Sequence, residues 1–365
     1  MKQNKLTKIG VLAISLLLTL PLWVGCSSDD NEVFEPGDPT ALKVELADSY
    51  LLLNSATTVD YEEVSIDEFK KILDVIQNVV DNDIVSSQEV KNLTIHLNEA
   101  KSKFTRSKLI GIPVEALIAG WSFDEGEGVS LVSDGMKKLT ANLTSGPSEI
   151  FSTTGLPQFV DGVKGKAIYF KNGSHLEIPN YAPADFLGQQ LSIAVWLKPD
   201  VTKGGNYVAS LNYWNNWKFQ IQEQGKAFFT IQTTQGFTDA DNEYDQSVAP
   251  GKWTHVIVVL DLSTQKLSFY VNGRLTKEWT TTNKPNLAGG QMAPYASPLN
   301  KQLPLMIGAA TTYEEALAAW NWSGWNTPTS WDHFQGAMDE IKFYNIALVE
   351  GQVKALYNEE LTQVQ

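Results

Sequence analysis

Cysteine is nearly absent from this chain: of 365 residues only Cys26 carries a thiol, so no intramolecular disulfide can staple the fold. Histidine is scarce as well, with four in the whole chain, and none falls in a His-Glu-x-x-His run. No Gly-x-Ser-x-Gly surrounds a nucleophile, and no glycine-rich phosphate loop is present. Positive charge is in deficit. With 28 Lys and Arg against 42 Asp and Glu the formal charge is −14, which repels phosphate backbones and excludes nucleic acid as a natural partner while leaving neutral polysaccharide open. From Thr40 to Lys108 glycine and proline are missing, which removes the usual turn formers and favours helix. The apolar fraction of 43% is that of a globular protein, so disorder is not the default expectation.

What is present begins with an export signal. Lys2, Lys5 and Lys8 precede an apolar run from Ile9 through Leu22 that is too short to span a bilayer comfortably. Val24-Gly25-Cys26 then sets a small residue before the cysteine. This segment resembles the lipobox of bacterial lipoproteins, with Trp23 where that pattern usually has leucine. The resemblance implies removal of residues 1–25, lipidation of Cys26 and a membrane anchor of two or three acyl chains. An ordinary signal peptide with an incidental cysteine is the alternative. Without the three leader lysines the charge falls to about −17. Residues 26–39 read as a linker, and within them Ser27-Ser28-Asp29-Asp30-Asn31-Glu32 resembles the surface-export signal of Bacteroidetes lipoproteins. That resemblance implies a bacterial outer-membrane protein facing the cell exterior, with periplasmic-facing attachment as the alternative.

Residues 40–110 carry apolar positions at helical spacing. Leu42, Leu46, Tyr50 and Leu53 define a first helix. Phe69, Ile72, Leu73, Ile76 and Val80 define a second, and Val90, Leu93, Leu97, Ala100 and Phe104 a third. Ser65-Ile66-Asp67-Glu68 and Ser86-Ser87-Gln88-Glu89 have the form of capping boxes opening the second and third. A small three-helix bundle is expected, acting as a spacer or, alternatively, as a protein-docking module.

Past Gly111-Ile112-Pro113 the period changes to two, and residues 115–360 read as mainly β. In Leu191-Ser-Ile-Ala-Val-Trp-Leu197 both faces are largely apolar, which predicts a central strand covered on both sides; Trp253 to Leu260 behaves likewise. Leu267 to Trp279 is a hairpin turning at Asn272-Gly273, a pair favoured by type I′ turns. Many short strands with such turns predict a two-sheet antiparallel jelly-roll sandwich, ending in a helix from about Val349 to Asn358.

The order of the pieces is informative. Ala119-Gly-Trp-Ser-Phe-Asp-Glu-Gly-Glu-Gly128, Gly165 to Phe170, Leu176 to Pro179, Leu191 to Pro199, Gly251-Lys-Trp-Thr-His-Val256, Leu267 to Gly273, Leu305 to Gly308 and Gly336 to Asn345 follow one another. This series closely resembles the laminin-G-like, concanavalin A-like jelly-roll family over roughly Ile118 to Tyr357. The resemblance implies two curved sheets, often a calcium ion at the rim, and use mostly in binding sugars or proteins. Glucanases on this fold carry a Glu-x-Asp-x-(x)-Glu run on one strand. No such run exists here, so catalysis is the minority expectation and no catalytic residue is assigned. His255 reads as a packed strand residue rather than a catalyst.

Two sets of residues are candidate sites. Alternation along Met338 to Asn345 predicts Asp339 on the apolar face with Ile341 and Phe343, where a carboxylate needs a partner. The resemblance makes Asp339, with Asp134 in Ser133-Asp134-Gly135, a calcium candidate; Lys137 and Lys138 beside Asp134 disfavour a cation, and a hydrogen bond to a turn is the alternative. The second set is aromatic. Tyr213-Trp214-Asn215-Asn216-Trp217 and Trp320-Asn321-Trp322-Ser323-Gly324-Trp325, with Trp331 beyond Pro328, put tryptophans in loops rich in Asn, Ser and Gly. A core explains Trp196 and Trp253, and Trp217 opens a strand. Trp214, Trp320, Trp322 and Trp325 are the candidates for stacking on pyranose rings, with nearby amides bonding hydroxyls. A protein contact, or loops folded onto the domain itself, would use the same residues. The expected partner is a polysaccharide or oligosaccharide, with neighbouring surface proteins that process glycans; adhesin, assembly subunit and glycosidase or lyase are the alternatives.

Overall fold

A computed structural model of the protein describes residues 35–82, 85–320 and 331–361. Three helices come first: α1 (Thr40–Ser55), α2 (Glu63–Asn82) and α3 (Ser87–Arg106). They bury Leu42, Leu46 and Leu53 of α1, Phe69, Leu73, Ile76 and Val80 of α2, and Leu97, Ala100 and Phe104 of α3, the apolar stripes expected from the spacing. Phe104 stacks between Tyr61 and Phe69, with ring centres 4.3 and 4.4 Å away. Ser86 forms a full capping box: its hydroxyl accepts from the Glu89 amide at 3.2 Å, and its own amide donates to Glu89 Oε2 at 2.7 Å. Ser65 does not cap. Because α2 starts at Glu63, Ser65 lies inside the first turn and its amide already donates to the Glu62 carbonyl.

The rest of the described chain is a sandwich of two eight-stranded sheets. In chain order the strands are β1 (Leu117–Trp121), β2 (Ser130–Val132), β3 (Thr140–Thr144), β4 (Gln158–Asp161), β5 (Lys166–Phe170), β6 (His175–Ile178), β7 (Gln190–Pro199) and β8 (Asn206–Leu211). There follow β9 (Trp217–Ile221), β10 (Ala227–Thr233), β11 (Gly236–Asp241), β12 (Thr254–Asp261), β13 (Lys266–Val271), β14 (Arg274–Trp279), β15 (Leu305–Ile307) and β16 (Gly336–Tyr344). The first sheet runs β14-β13-β12-β7-β16-β5-β4, with β1 also on β16; the second runs β11-β10-β9-β8-β15-β6-β3-β2. All pairings are antiparallel among the described strands. The crossovers between sheets and this antiparallel order make the fold a two-sheet jelly-roll sandwich.

The core lies between the sheets. Leu191, Ile193, Val195 and Leu197 of β7 meet Val208, Phe219, Ile221 and Phe229 of the second sheet. The other face of β7 is covered too, as its sequence requires: Ala194 packs with Ile257, Val353 and Leu356 under the C-terminal helix (Glu350–Leu361). The Asn272-Gly273 turn joins β13 to β14 with φ of 48° and 74°, the left-handed pair that a type I′ turn needs. Trp217 is fully buried in the core and Trp196 is buried under the C-terminal helix. Trp253, expected in a core, is only half-buried and lies under the Lys198 ammonium at 5.8 Å.

Alternation along β16 fails at one point. Met338 pairs with Leu197 and Phe343 with Ile193, all four in the core, although 338 and 343 are an odd number of residues apart. A bulge between Asp339 and Lys342, with Glu340 at φ 50°, absorbs the extra residue. Asp339 therefore pairs with Trp196 and shares the outer face with it, rather than the face of Ile341 and Phe343. The physical reason is local: a bulge resets the period of two, and a sequence pattern contains no mark of it.

Candidate functional site

The outward face of the second sheet carries a group of polar and aromatic side chains. Its cross-strand register sets two parallel rows. Ser210, Lys218, Thr230 and Asp239 form one, from β8 to β11; Tyr207, Gln220, Phe228 and Asp241 form the other. Between them runs the core row Ala209, Phe219, Phe229 and Ala240, pointing inward. Period two thus turns an alternating sequence into one apolar and one largely polar face.

Lys218 is the centre of this face. Its ammonium lies 5.3 Å from the Tyr207 ring centre and 5.4 Å from that of Phe228, so two aromatic faces partly replace water around the charge. Burial pulls its pKa below the usual lysine value, with Asp239 and Asp332 opposing that shift. Asp332 reaches the same cleft from the segment before β16, held by the Ala310 amide donating to its carbonyl at 3.1 Å. Burial pushes its carboxyl up to about 6 against the pull of Lys218, Lys203 and a Tyr213 hydrogen bond. The carboxylate sits over Gly205, at φ 68°, where any Cβ would overlap it. Asp239 accepts from the Thr230 hydroxyl at 2.5 Å, which fixes its orientation. A cleft of about 390 Å³ opens here, walled by Gly205, Tyr207, Lys218, Gln220, Gln222 and Asp332.

One sequence-nominated tryptophan borders this group. Trp214 is half-buried and packs on Tyr213 and Phe237, with ring centres 6.3 and 6.0 Å away, while Tyr213 stacks on Tyr207 at 5.7 Å. It belongs to a small cluster with Tyr207, Tyr213 and Ala310. Trp320 ends a helical turn (Ala316–Trp320), and its side chain, together with Trp322 and Trp325, lies outside the described residues. Trp331 is buried and stacks on His333 at 6.2 Å, so it is a packing residue. His333 Nδ1 donates to the Trp331 carbonyl (2.8 Å), and burial lowers its pKa to about 4.

The calcium candidates behave differently from each other. Asp339 is fully buried; its Oδ2 accepts from the amides of Val163 (2.8 Å) and Lys164 (3.2 Å) in the β4–β5 turn. Burial pushes its pKa up to about 7 against those two bonds. Asp134 instead faces solvent, with its carboxylate 3.9 Å from the Lys138 ammonium. Among the described residues no group of three or more His, Cys, Asp or Glu could hold a metal ion. These residues fit the turn-bonding alternative better than a shared cation site, although Asp339 Oδ1 has no hydrogen-bond partner.

His255 is buried, its ring 5.0 Å from Trp196 and 5.7 Å from Tyr357. Its Nε2 lies 3.4 Å from Glu360 Oε2 without a hydrogen bond, and burial lowers its pKa to about 3. This is a packed strand histidine. Cys26 and the acidic tract lie outside the described residues.

Sequence reasoning missed Tyr207, Lys218, Gln220 and Asp332. A trace of them was readable: Trp217-Lys-Phe-Gln-Ile-Gln222 alternates strictly, but a polar strand face is ordinarily just a solvated one. Nothing in the sequence brings Asp332, over a hundred residues away, onto that face.

A two-sheet jelly roll with an aromatic and charged outward face defines the class of protein. Residues 170–297 match the family model described as the concanavalin A-like lectin/glucanases superfamily, of the laminin G type, so the resemblance read from the ordered motifs holds over that stretch. No curated protein matches the chain. Among solved structures, domain 4 of an extracellular arabinanase from Geobacillus stearothermophilus, in complex with arabinotriose, is similar at 18% identity and a TM-score of 0.44, over 66% of this chain and 98% of that one. The binding domain of Paraclostridial Mosquitocidal Protein 1 is similar at 12% identity and 0.44, over 68% and 53%. The receptor binding domain of botulinum neurotoxin mosaic serotype C/D is similar at 13% and 0.44, over 67% and 51%. The chain spans about half the length of those toxin domains.

Proposed function

We propose that this protein is a non-catalytic, cell-surface lipoprotein that binds carbohydrate through the outward face of its second sheet and through loop tryptophans. The observation that carries this reading is the 390 Å³ cleft, where a cation over two aromatic rings, a carboxylate and two amides converge. Sugars ask for this mixture: ring C–H faces pack on aromatics while hydroxyls both donate and accept. Trp214, Trp320, Trp322 and Trp325 extend the platform in this reading. Cys26 supplies the lipid, residues 26–39 the tether and the helices a spacer, with the body outside the outer membrane.

The test is binding of the detergent-solubilised full chain to a glycan array and to polysaccharide-containing affinity gels. A retained glycan supports the reading, and Trp322→Ala is then expected to weaken retention about tenfold without changing the melting temperature. No retention on either support sinks it. A protein partner is the second reading, favoured by the exposed rings of Phe237 and Tyr244. It wins if one surface polypeptide is captured and free sugars do not compete. Release of reducing ends from a polysaccharide panel would replace both readings with a glycosidase or lyase.

A further inference from the structure

Gln220 is only 7% exposed and lines the cleft, yet among the described residues its carboxamide forms no hydrogen bond. Neither do the side chains of Lys218 and Gln222, which line the same wall two residues to either side in the chain. A nearly buried amide without a partner is costly, because it has given up hydration and gained nothing in return. Register fixes what surrounds it. Tyr207 on β8 and Phe228 on β10 are the direct cross-strand partners of Gln220, so the carboxamide rises between two aromatic side chains. Tyr207 is braced by stacking on Tyr213 at 5.7 Å. The Lys218 ammonium lies 5.3 and 5.4 Å from those same two ring centres, which brings it onto the Gln220 row.

These groups select their occupant. The ammonium only donates, whereas the amide donates from Nε2 and accepts at Oε1. A ligand carboxylate or sulfate would accept from both donors but leave Oε1 unanswered, and it would approach Asp239, whose charge already acts on the ammonium. A ligand ammonium would answer Oε1 alone and meet Lys218. Two hydroxyls on adjacent carbons answer all three: one donates to Oε1 while accepting from Lys218, and its neighbour accepts from Nε2. The C–H face of the ring that carries them packs on the flanking aromatics. We infer that Gln220, with Lys218, recognises a free vicinal diol on a sugar ring of the ligand. This rests on the carbohydrate reading above and narrows it to glycans whose internal units keep two adjacent hydroxyls free, as (1→4)-linked pyranose and (1→5)-linked furanose chains do and (1→3)-linked pyranose chains do not.

Affinity electrophoresis of the detergent-solubilised full chain tests this, in gels containing linear (1→5)-arabinan, (1→4)-xylan or (1→4)-mannan, whose units keep the diol, and in gels containing a linear (1→3)-glucan, whose internal units lack it. Retardation by at least one polymer of the first kind is expected, with retention by the (1→3)-glucan weaker by about tenfold or more. Mild periodate, which cleaves the carbon–carbon bond of a vicinal diol, should abolish retention by the same polymer with the protein unchanged. Gln220→Met, close in shape but without the amide, should weaken retention about tenfold. Circular dichroism melts identify a variant that fails to fold, in which case the linkage and periodate arms decide by themselves. Equal retention by the (1→3)-glucan, retention that survives periodate, or a folded Gln220→Met with unchanged retention would overturn the diol assignment while leaving carbohydrate binding intact. Retention by no polymer of either kind removes both.

Discussion

Asp332 and Asp339 are both buried carboxylates whose acidity is weakened by burial, but their surroundings compensate in different ways. Asp332 has two lysines and a tyrosine, whereas Asp339 has two backbone amides of a turn and a neighbouring Glu340 that raises it further. A carboxyl whose folded-state pKa is raised contributes stability that is full below its unfolded value of 3.8 and is lost as pH rises through the folded one. For Asp339 the window runs from about pH 4 to about 7. Asp339→Asn is expected to flatten the decline in stability across that window, by an amount on the order of a few kcal/mol, read from chemical denaturation at several pH values. His255 acts with the opposite sign. Its folded pKa is lowered, so its contribution is present above 6.5 and is lost as pH falls toward 3. Calcium gives a separate check on Asp339: with the turn amides as its partners, addition of calcium or of a chelator should leave the melting temperature unchanged. A calcium-dependent rise would make Asp339 a ligand instead.

Among the elements, α3 and β16 show how local chemistry succeeds and fails as a guide. The Ser86 box opens α3 because Ser, Glu and spacing satisfy two exposed amides reciprocally. Ser86→Ala should cost about 1 kcal/mol, measured as a loss of helical signal at lower denaturant while the sheet signal is retained. The same four-residue form at Ser65 is decorative, since α2 has already begun upstream. In β16 the bulge at Glu340 moves Asp339 to the outer face and aims Glu340 at Lys342, 2.6 Å away. Burial alone would lower the Lys342 pKa, but Glu360 and Glu340 override it and raise it. Glu360 also accepts from the Trp196 indole at 2.7 Å, so the C-terminal helix is tied to the sheet by polar as well as apolar contacts. Leu356→Ala, which empties part of that layer, is expected to cost about 2–4 kcal/mol in global unfolding.

At the scale of the whole molecule, the helices do not hang free of the sandwich. Glu62 accepts from the Asn358 amide at 3.1 Å and lies 3.8 Å from the Lys354 ammonium. The Leu109 and Ile110 amides donate to Asp60 and Gly351 carbonyls at 2.7 and 3.4 Å. The helical bundle thus leans on the C-terminal helix. The anchor itself is testable in cells: labelling with a clickable fatty-acid analogue should mark the protein and should be lost in Cys26→Ala. Labelling that survives the substitution would remove the lipoprotein assignment.

Helix against strand, the two-sided burial of β7, the hairpin at Asn272-Gly273 and the jelly-roll class were all legible in the sequence. Each depends on neighbours in the chain or on an ordered series of short motifs, and physical periodicity is written residue by residue. The bulge at Glu340 was not legible, because it answers to pairing with β7 rather than to any residue type. Neither was the meeting of Lys218 with Asp332. Lys218 takes its place from the alternation of β9, but only the packing of the segment before β16 over Gly205 brings the carboxylate opposite it. The sequence alone determined which surfaces had to be buried, since that follows from local pattern and the cost of exposing apolar side chains. Tertiary structure decided which polar groups face each other across a cleft, since that depends on chain segments distant in sequence.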